Sequence, residues 1–274
     1  MTNQRILITG AAGTVGTLMR PRLRRPGRVL RLLDLAPQQP AGPDEAVELL
    51  TGSVTDSAAM KNACRDTDAV IHLGGLSREA SWEATLDVNI NGTRTVLDAA
   101  REAGVSRVIL ASSNHAVGFR TTDEGGSGGL PADSSPRPDT YYGVSKAAIE
   151  ALGSLYHFRF GMDVIALRIG SCFPTPLPMG PRGLSTWLSP DDCARLLEAC
   201  LAAPAPGYRV VWGVSANTRR VFSLTEAEAL GYRAQDDAES YAAQMAAPPA
   251  PAEPAPENVG GAFCTAPLGE PNPL

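Results

Sequence analysis

Six short apolar runs, RILIT (5–9), RVLRLLD (28–34), AVELL (46–50), AVIHL (69–73), RVILA (107–111) and DVIALR (163–168), alternate with stretches of helical period along the first two-thirds of the chain. Runs so short and so continuously apolar read as strands buried on both faces. Strands that need cover on both faces, each followed by a helix, leave one economical solution: an α/β fold with a doubly wound parallel sheet of the Rossmann type. Helices are expected after Gly13, over 57–64, over about 81–103 and over about 140–160. Beyond Arg168 the order loosens, and CFPTPLPMGPRG (172–183) is too rich in Pro and Gly for regular structure. A small lobe is expected there. Its one well-signalled helix has Ser189 to cap it, Pro190 in the first turn and Asp191 and Asp192 against the helix dipole, ahead of CARLLEACL. The Pro- and Ala-rich stretch 246–258 reads as an extended tail crossing the surface. The expected division is residues 1–170 as the sheet-bearing domain and 171–274 as a small substrate-side lobe and tail, packed on the same sheet as one unit.

A chain of 274 residues with 43% apolar content buries one such core, and a net charge of −5 with dispersed basic residues argues against a nucleic-acid partner. Cys64, Cys172, Cys193, Cys200 and Cys264 are scattered, without the close pairs of a zinc site or a disulfide framework. A reducing, cytoplasmic setting is expected. No apolar run approaches the roughly 20 residues that span a bilayer, so no membrane partner is expected either.

The first chemical signal is TGAAGTVG (9–16), placed directly after a strand and opening a helix. Gly10, Gly13 and Gly16 let the backbone turn tightly and approach a pyrophosphate, which then sits on free N–H groups of Thr14, Val15 and Gly16 at the helix start. Asp34, ending the second strand, lies where an acidic group accepts from the adenosine ribose hydroxyls and repels an extra phosphate. Leu35 and Ala36 follow it, not an arginine, so NAD is favoured over NADP as cofactor.

The second signal is YYGVSK (141–146). Tyr142 and Lys146, four apart, share one helical face, whereas Tyr141 is turned away. A phenol of ordinary pKa about 10 needs lowering to act as a base, and an ammonium one turn away has the right sign of field. Ser113, in SSNH (112–115) at the carboxyl end of the fifth strand, faces the same crevice and is placed to hold a reacting oxygen. His72, His115 and His157 show no ligand spacing, and no metal site is expected.

TGAAGTVG, NINGT (89–93), ASS (111–113) and YGVSK (142–146) together resemble the extended short-chain dehydrogenase/reductases, over about residues 5 to 230. Within them HLGGLS (72–77), SSNHAVGF (112–119), RIGSC (168–172), RGLSTWLS (182–189), VVWGVSAN (210–217) and GGAF (260–263) are similar to segments of the NAD-dependent uronate dehydrogenases. The resemblance implies oxidation of hexuronates, D-glucuronate or D-galacturonate, at C1 to the aldaro-lactone, with hydride passing to NAD. It implies Tyr142 as general base, Lys146 as the lysine that lowers its pKa and binds ribose, and Ser113 as the serine on the reacting hydroxyl. Ser77, Asn114, His115, Ser171 and Arg182 match positions lining the sugar site, and Arg182 suits the carboxylate as a guanidinium fork. Leu73, Gly74, Gly75, Asn89 and Ser171 fall in the cofactor-facing segments of the same resemblance. Where that family has an acidic residue after the third strand, this chain has TGSVTD, which leaves Ser53 and Val54 on the adenine side. TTDEGGSGG (121–129) looks inserted and lies beside the expected entrance, as a lid or as a tolerated insertion. Two other readings stay open on these residues: an NAD-dependent nucleotide-sugar epimerase and a non-catalytic NAD-sensing regulator. Self-association into a homo-oligomer through the helices at about 81–103 and 140–160 is expected of the fold.

Overall fold

In the computed structural model, residues 4–245 and 257–271 are described. The strands are β1 (Gln4–Thr9), β2 (Arg28–Asp34), β3 (Val47–Thr51), β4 (Ala69–His72), β5 (Arg107–Ser113) and β6 (Asp163–Ile169), with a short pair β7 (Ser171–Cys172) and β8 (Trp187–Leu188), then β9 (Tyr208–Gly213). The helices are α1 (Thr14–Arg22), α2 (Ser57–Cys64), α3 (Trp82–Thr85), α4 (Gly92–Glu102), α5 (Tyr141–Phe160), α6 (Gly183–Thr186), α7 (Pro190–Ala202) and α8 (Thr225–Ala229).

The main sheet runs β3-β2-β1-β4-β5-β6-β9, with every neighbouring pair parallel. Strand order reverses between β1 and β4, which opens a crevice at their carboxyl ends. Alternation along the strands sorts the core by face. Ile6, Ile8, Leu30, Leu32, Ile71 and Ile165 meet Met19 of α1 and Leu196 and Leu197 of α7. Leu7, Leu33, Val70, Val108 and Val164 meet Met60 of α2, Val96 and Leu97 of α4 and Ile149 of α5. A strand with both faces so covered has no room for the polar alternation of a half-exposed sheet.

Six of the seven main strands sit where the apolar runs predict. The seventh, β9, comes from beyond the expected domain boundary and closes the sheet edge beside β6 in register Val164↔Tyr208 to Ile169↔Gly213. The helix expected over 81–103 is split: a π turn, Leu86–Asn91, separates α3 from α4. That extra residue per turn directs Asn89 inward, where it is 3% exposed. α7 is built as its sequence signals, with Ser189 Oγ accepting from Asp192 N at 2.9 Å. Most of the tail expected over 246–258 lies outside the described residues. Asn258 bridges to Thr121, and 257–271 then lies across the carboxyl-end crevice.

Candidate active site

The turn between β1 and α1 is shaped by contacts only glycine permits. Gly10 has φ +70°, and a Cβ there would lie 2.6 Å from Gly74 N; one on Gly16 would lie 2.5 Å from Gly10 O. Gly13 caps α1 with no side-chain bond, so the first-turn N–H groups at Thr14, Val15 and Gly16 face outward as an anion seat. Asp34 buttresses this turn, accepting from Ala12 N and from Ala36 N at 2.9 Å each. Each carboxylate oxygen keeps a second lone pair, and Leu35 beside it is 69% exposed. These features fit a dinucleotide with an unphosphorylated adenosine ribose.

The other cofactor-side candidates form the floor of the crevice. Asn89 accepts from Leu76 N (2.7 Å) and donates to Leu76 O (3.1 Å) and Ser145 Oγ (2.9 Å), which fixes the Leu73, Gly74, Gly75 segment against α5. Ser53 is turned inward to its own loop, paired with Thr55 Oγ1 at 2.8 Å, and Val54 is buried beneath Gly74. His72 bridges Thr9 Oγ1 (2.7 Å) and Thr93 Oγ1 (3.0 Å), and burial pushes it down to about 3, so it is neutral.

On the substrate side, Ser113, Asn114 and His115 leave the end of β5 in a tight 3-10 turn (Asn114–Val117) that faces the first turn of α5. Tyr142 is buried, its ring centroid 5.6 Å from that of His115 and 5.3 Å from Lys146 Nζ. Burial pushes the Tyr142 phenol up to about 12, while the neighbouring Ser113 hydroxyl pulls it down. Lys146 Nζ donates to Ala111 O at 2.7 Å and sits over the ring, and burial drops the lysine itself to about 8. Glu150, one turn further on, opposes that drop and is clamped by Arg168 at 2.7 Å.

His115 Nδ1 lies 2.6 Å from Asp139 Oδ2, so the carboxylate holds the ring with Nε2 as its acceptor. Burial lowers the His115 pKa further than Asp139 raises it, which leaves a neutral ring. Arg182 Nη2 and Asn114 Nδ2 donate to the same carbonyl, Val259 O, at 2.7 and 3.1 Å. The expected arginine fork is therefore partly engaged by the chain's own C-terminal segment. Ser171 is tied to Thr186 Oγ1 at 3.0 Å, and Thr186 in turn donates to Arg182 O at 3.1 Å, linking that serine to the arginine's turn. Phe263 stacks on His115 with centroids 3.9 Å apart.

The structure thus gathers Ser113, Asn114, His115, Tyr142, Lys146 and Arg182 at one end of the crevice, while Asp34, Leu35 and Ser53 stand across β1 at the other. Asp139, Val259 and Phe263 belong to the site and were not assigned from sequence. Asp139 had a faint signal, one residue before the Thr140 cap of α5. The 121–129 loop is not free. Arg120 and Arg137 hold Glu124 at 2.6 and 2.8 Å, and Thr121 bridges to Asn258. Among the described residues no cluster of three or more His, Cys, Asp or Glu is placed to hold a metal, and no helix is long and apolar enough to cross a membrane.

A parallel sheet with a glycine turn at its switch point and a Ser, Tyr and Lys group beside it defines a dinucleotide-dependent class of protein, and the sequence comparison agrees. The pattern of the NAD dependent epimerase/dehydratase family matches residues 6–178, and the chain belongs to that family. Within it, the chain is 43% identical over 265 residues to the uronate dehydrogenase of Pseudomonas putida, with 96% of each chain covered. Its fold superposes with TM-score 0.89 on the glucuronic acid dehydrogenase of Chromohalobacter salexigens, at 36% identity and 97% and 98% coverage. It also superposes with TM-score 0.87 on a variant uronate dehydrogenase of Agrobacterium tumefaciens complexed with NAD, at 38% identity and 96% and 98% coverage.

Proposed function

We propose that this protein oxidises hexuronates such as D-galacturonate and D-glucuronate at C1, giving the aldaro-lactone and NADH. The observation that carries this reading is a half-buried guanidinium, Arg182, converging with Asn114 on Val259 O beside Ser113 and His115, next to Tyr142 and Lys146. A sugar acid needs this combination: one cation for its carboxylate and short polar groups for its hydroxyls. Likeness to uronate dehydrogenases over nearly the whole chain supports it. Residues 1–170 supply the NAD-binding part in this reading and 171–274 the substrate side, with β9 shared by the sheet.

Bound NAD supplies a hydride acceptor. The chain's own groups do the rest. Ser113 donates to the C1 hydroxyl oxygen and orients it, and Tyr142 receives the C1 hydroxyl proton as phenolate. Lys146, anchored on Ala111 O, holds positive charge under the phenol. His115 Nε2 accepts from a ring hydroxyl, since Asp139 fixes its Nδ1–H. Arg182 binds the carboxylate with the donors not committed to Val259 O. C1 of the cyclic uronate is a hemiacetal carbon bearing one hydrogen, a hydroxyl and the ring oxygen, so loss of the hydride and the hydroxyl proton gives the lactone with no water consumed.

Because burial holds the Tyr142 phenol at about 12, its phenolate fraction grows with pH, and turnover is expected to climb from neutral pH and to level off above about 8, where Lys146 loses its charge. The first test follows NADH absorbance with NAD plus D-galacturonate, D-glucuronate or galactose. Reduction with the two uronates alone is expected; equal rates with galactose reject the carboxylate contact, and no NADH with any of them rejects the activity. We further propose that the chain works as a homo-oligomer in a reducing, cytoplasmic setting. Supporting this, all five cysteines are free, and Leu155, Phe158 and Phe160 are exposed on α5.

A further inference from the structure

Glu79 is a carboxylate that the catalytic scheme does not use. It follows Ser77 by two residues in the loop between β4 and α3, and it is 2% exposed. All three of its hydrogen bonds come from backbone. Oε2 accepts from Tyr142 N at 2.8 Å, and Oε1 accepts from Tyr141 N at 3.2 Å and from Gly269 N at 2.8 Å. The first two are orphan donors at the start of α5, where a negative charge also meets the helix dipole. The third belongs to the C-terminal segment, 190 residues away in sequence.

That segment is a strap over the pocket. Val259 N donates to Arg120 O and Gly260 N to Gly118 O, at 2.8 and 2.9 Å. Val259 O takes Asn114 and Arg182, and Phe263 covers His115. Past Phe263 the chain turns back to reach Glu79. One carboxylate therefore ties the loop of Ser77, the helix of Tyr142 and the end of the strap. Its bonds are satisfied together only when all three are seated, because each N–H lost leaves a buried charge short of a partner.

We propose that Glu79 is a positioning residue: a latch that seats the C-terminal strap on the substrate pocket in register with the helix carrying Tyr142. The kinetic part of this rests on the uronate reading; the seating of the strap does not. Glutamine at position 79 keeps the shape but removes the charge: even with its carbonyl oxygen at the Oε1 position, the bonds from Tyr141 N and Gly269 N become neutral and weaker, and the NH2 group is turned toward Tyr142 N. Gly269→Ala loosens the same bond from the other side, since Gly269 has φ +79° and is strained with any side chain.

The test uses full-length Glu79→Gln, Gly269→Ala and the double variant, each with NAD. Amide hydrogen exchange over 257–269 is expected to quicken about tenfold in Glu79→Gln, and KM for galacturonate to rise about tenfold, while the Kd for NAD stays within about twofold. A merely structural role would weaken NAD binding and quicken exchange across the sheet as well. The double variant is expected to be no worse than Glu79→Gln, since both changes remove one contact. Unchanged strap exchange in Glu79→Gln, or effects of the two changes that multiply, overturns the latch. If Glu79→Gln does not fold, Gly269→Ala decides alone: quicker strap exchange supports the latch and unchanged exchange rejects it. If the unaltered protein turns over no uronate, the activity reading falls while exchange still judges the latch.

Discussion

On the cofactor side of the crevice, the wall is shaped at the ends of strands that neighbour one another in the sheet: Gly10 against Gly74, Gly16 against Gly10, and the Asp34 carboxylate on Ala12 N. On the substrate side it is assembled from segments scattered along the chain, joined by single hydrogen bonds such as Arg182 to Val259 O and Glu79 to Gly269 N. The first arrangement tolerates almost no change in shape, with the side chains of Asp34, Asn89 and His72 holding the backbone in place. The second depends on particular side chains, and one bond gives way without dismantling the sheet. A fold that must bind one invariant dinucleotide and a variable sugar gains from that split, since specificity changes on one side leave the other intact.

The substitutions that break this comparison most sharply act on the substrate side. Tyr142→Phe removes the proposed proton acceptor from a site whose shape it leaves unchanged. Its kcat is expected to fall about a thousandfold with the Kd for NAD unchanged, read by steady-state kinetics and by NAD titration. A variant with ordinary turnover takes Tyr142 out of the role of base. Next in size, Arg182→Ala is expected to raise KM for uronates about 10- to 100-fold and to leave NAD binding alone. The gap between galacturonate and galactose should narrow in that variant, and unchanged uronate kinetics removes the carboxylate contact.

Gly10→Ala probes the opposite wall. A methyl group against the Gly74 backbone, at a positive φ, costs about 1 to 3 kcal/mol of strain. NAD affinity is expected to drop about tenfold, while KM for uronate at saturating NAD hardly moves. Equal damage to both constants would show that the two sides are not separable. The smallest effect lies away from the crevice, where Arg20 clamps Glu45 at 2.7 Å and so ties the loop before β3 to α1. The Arg20 hydrogen bond outweighs burial, which raises the Glu45 carboxyl, and brings it down to about 2. A carboxylate depressed on folding contributes above its unfolded pKa and loses that contribution as pH falls through its folded value. Arg20→Ala is therefore expected to cost about 1 kcal/mol in urea unfolding near neutral pH, and progressively less as pH falls toward 2. Neither crevice wall should respond.

The same contrast governs how much was legible beforehand. The strands, the glycine turn, Asp34 and the Tyr142–Lys146 face are local patterns, in which spacing of a few residues fixes geometry. The choice of Tyr142 over Tyr141 follows from helical phase alone, and the structure buries Tyr142 while Tyr141 lies at the edge against Trp82. Glu79 and Val259 carried no such signal, Asp139 only its place beside the Thr140 cap, and Phe263 only the GGAF string. Each matters through a partner 24 to 190 residues away. The charge state of Tyr142 was also out of reach, since a neighbouring ammonium sets a sign and burial sets the balance.

What the sequence by itself determined is the parallel sheet, the dinucleotide turn and the pairing of phenol and ammonium on one helix. These rest on hydrophobic period and on backbone conformations that only glycine enters cheaply. What only the tertiary structure decided is the strap over the substrate side of the candidate site. The C-terminal strap takes Arg182 and Asn114 on one carbonyl and closes over His115, with Glu79 at its end. Those bonds join segments with no common period, so they exist only once the sheet has folded and brought its carboxyl ends together.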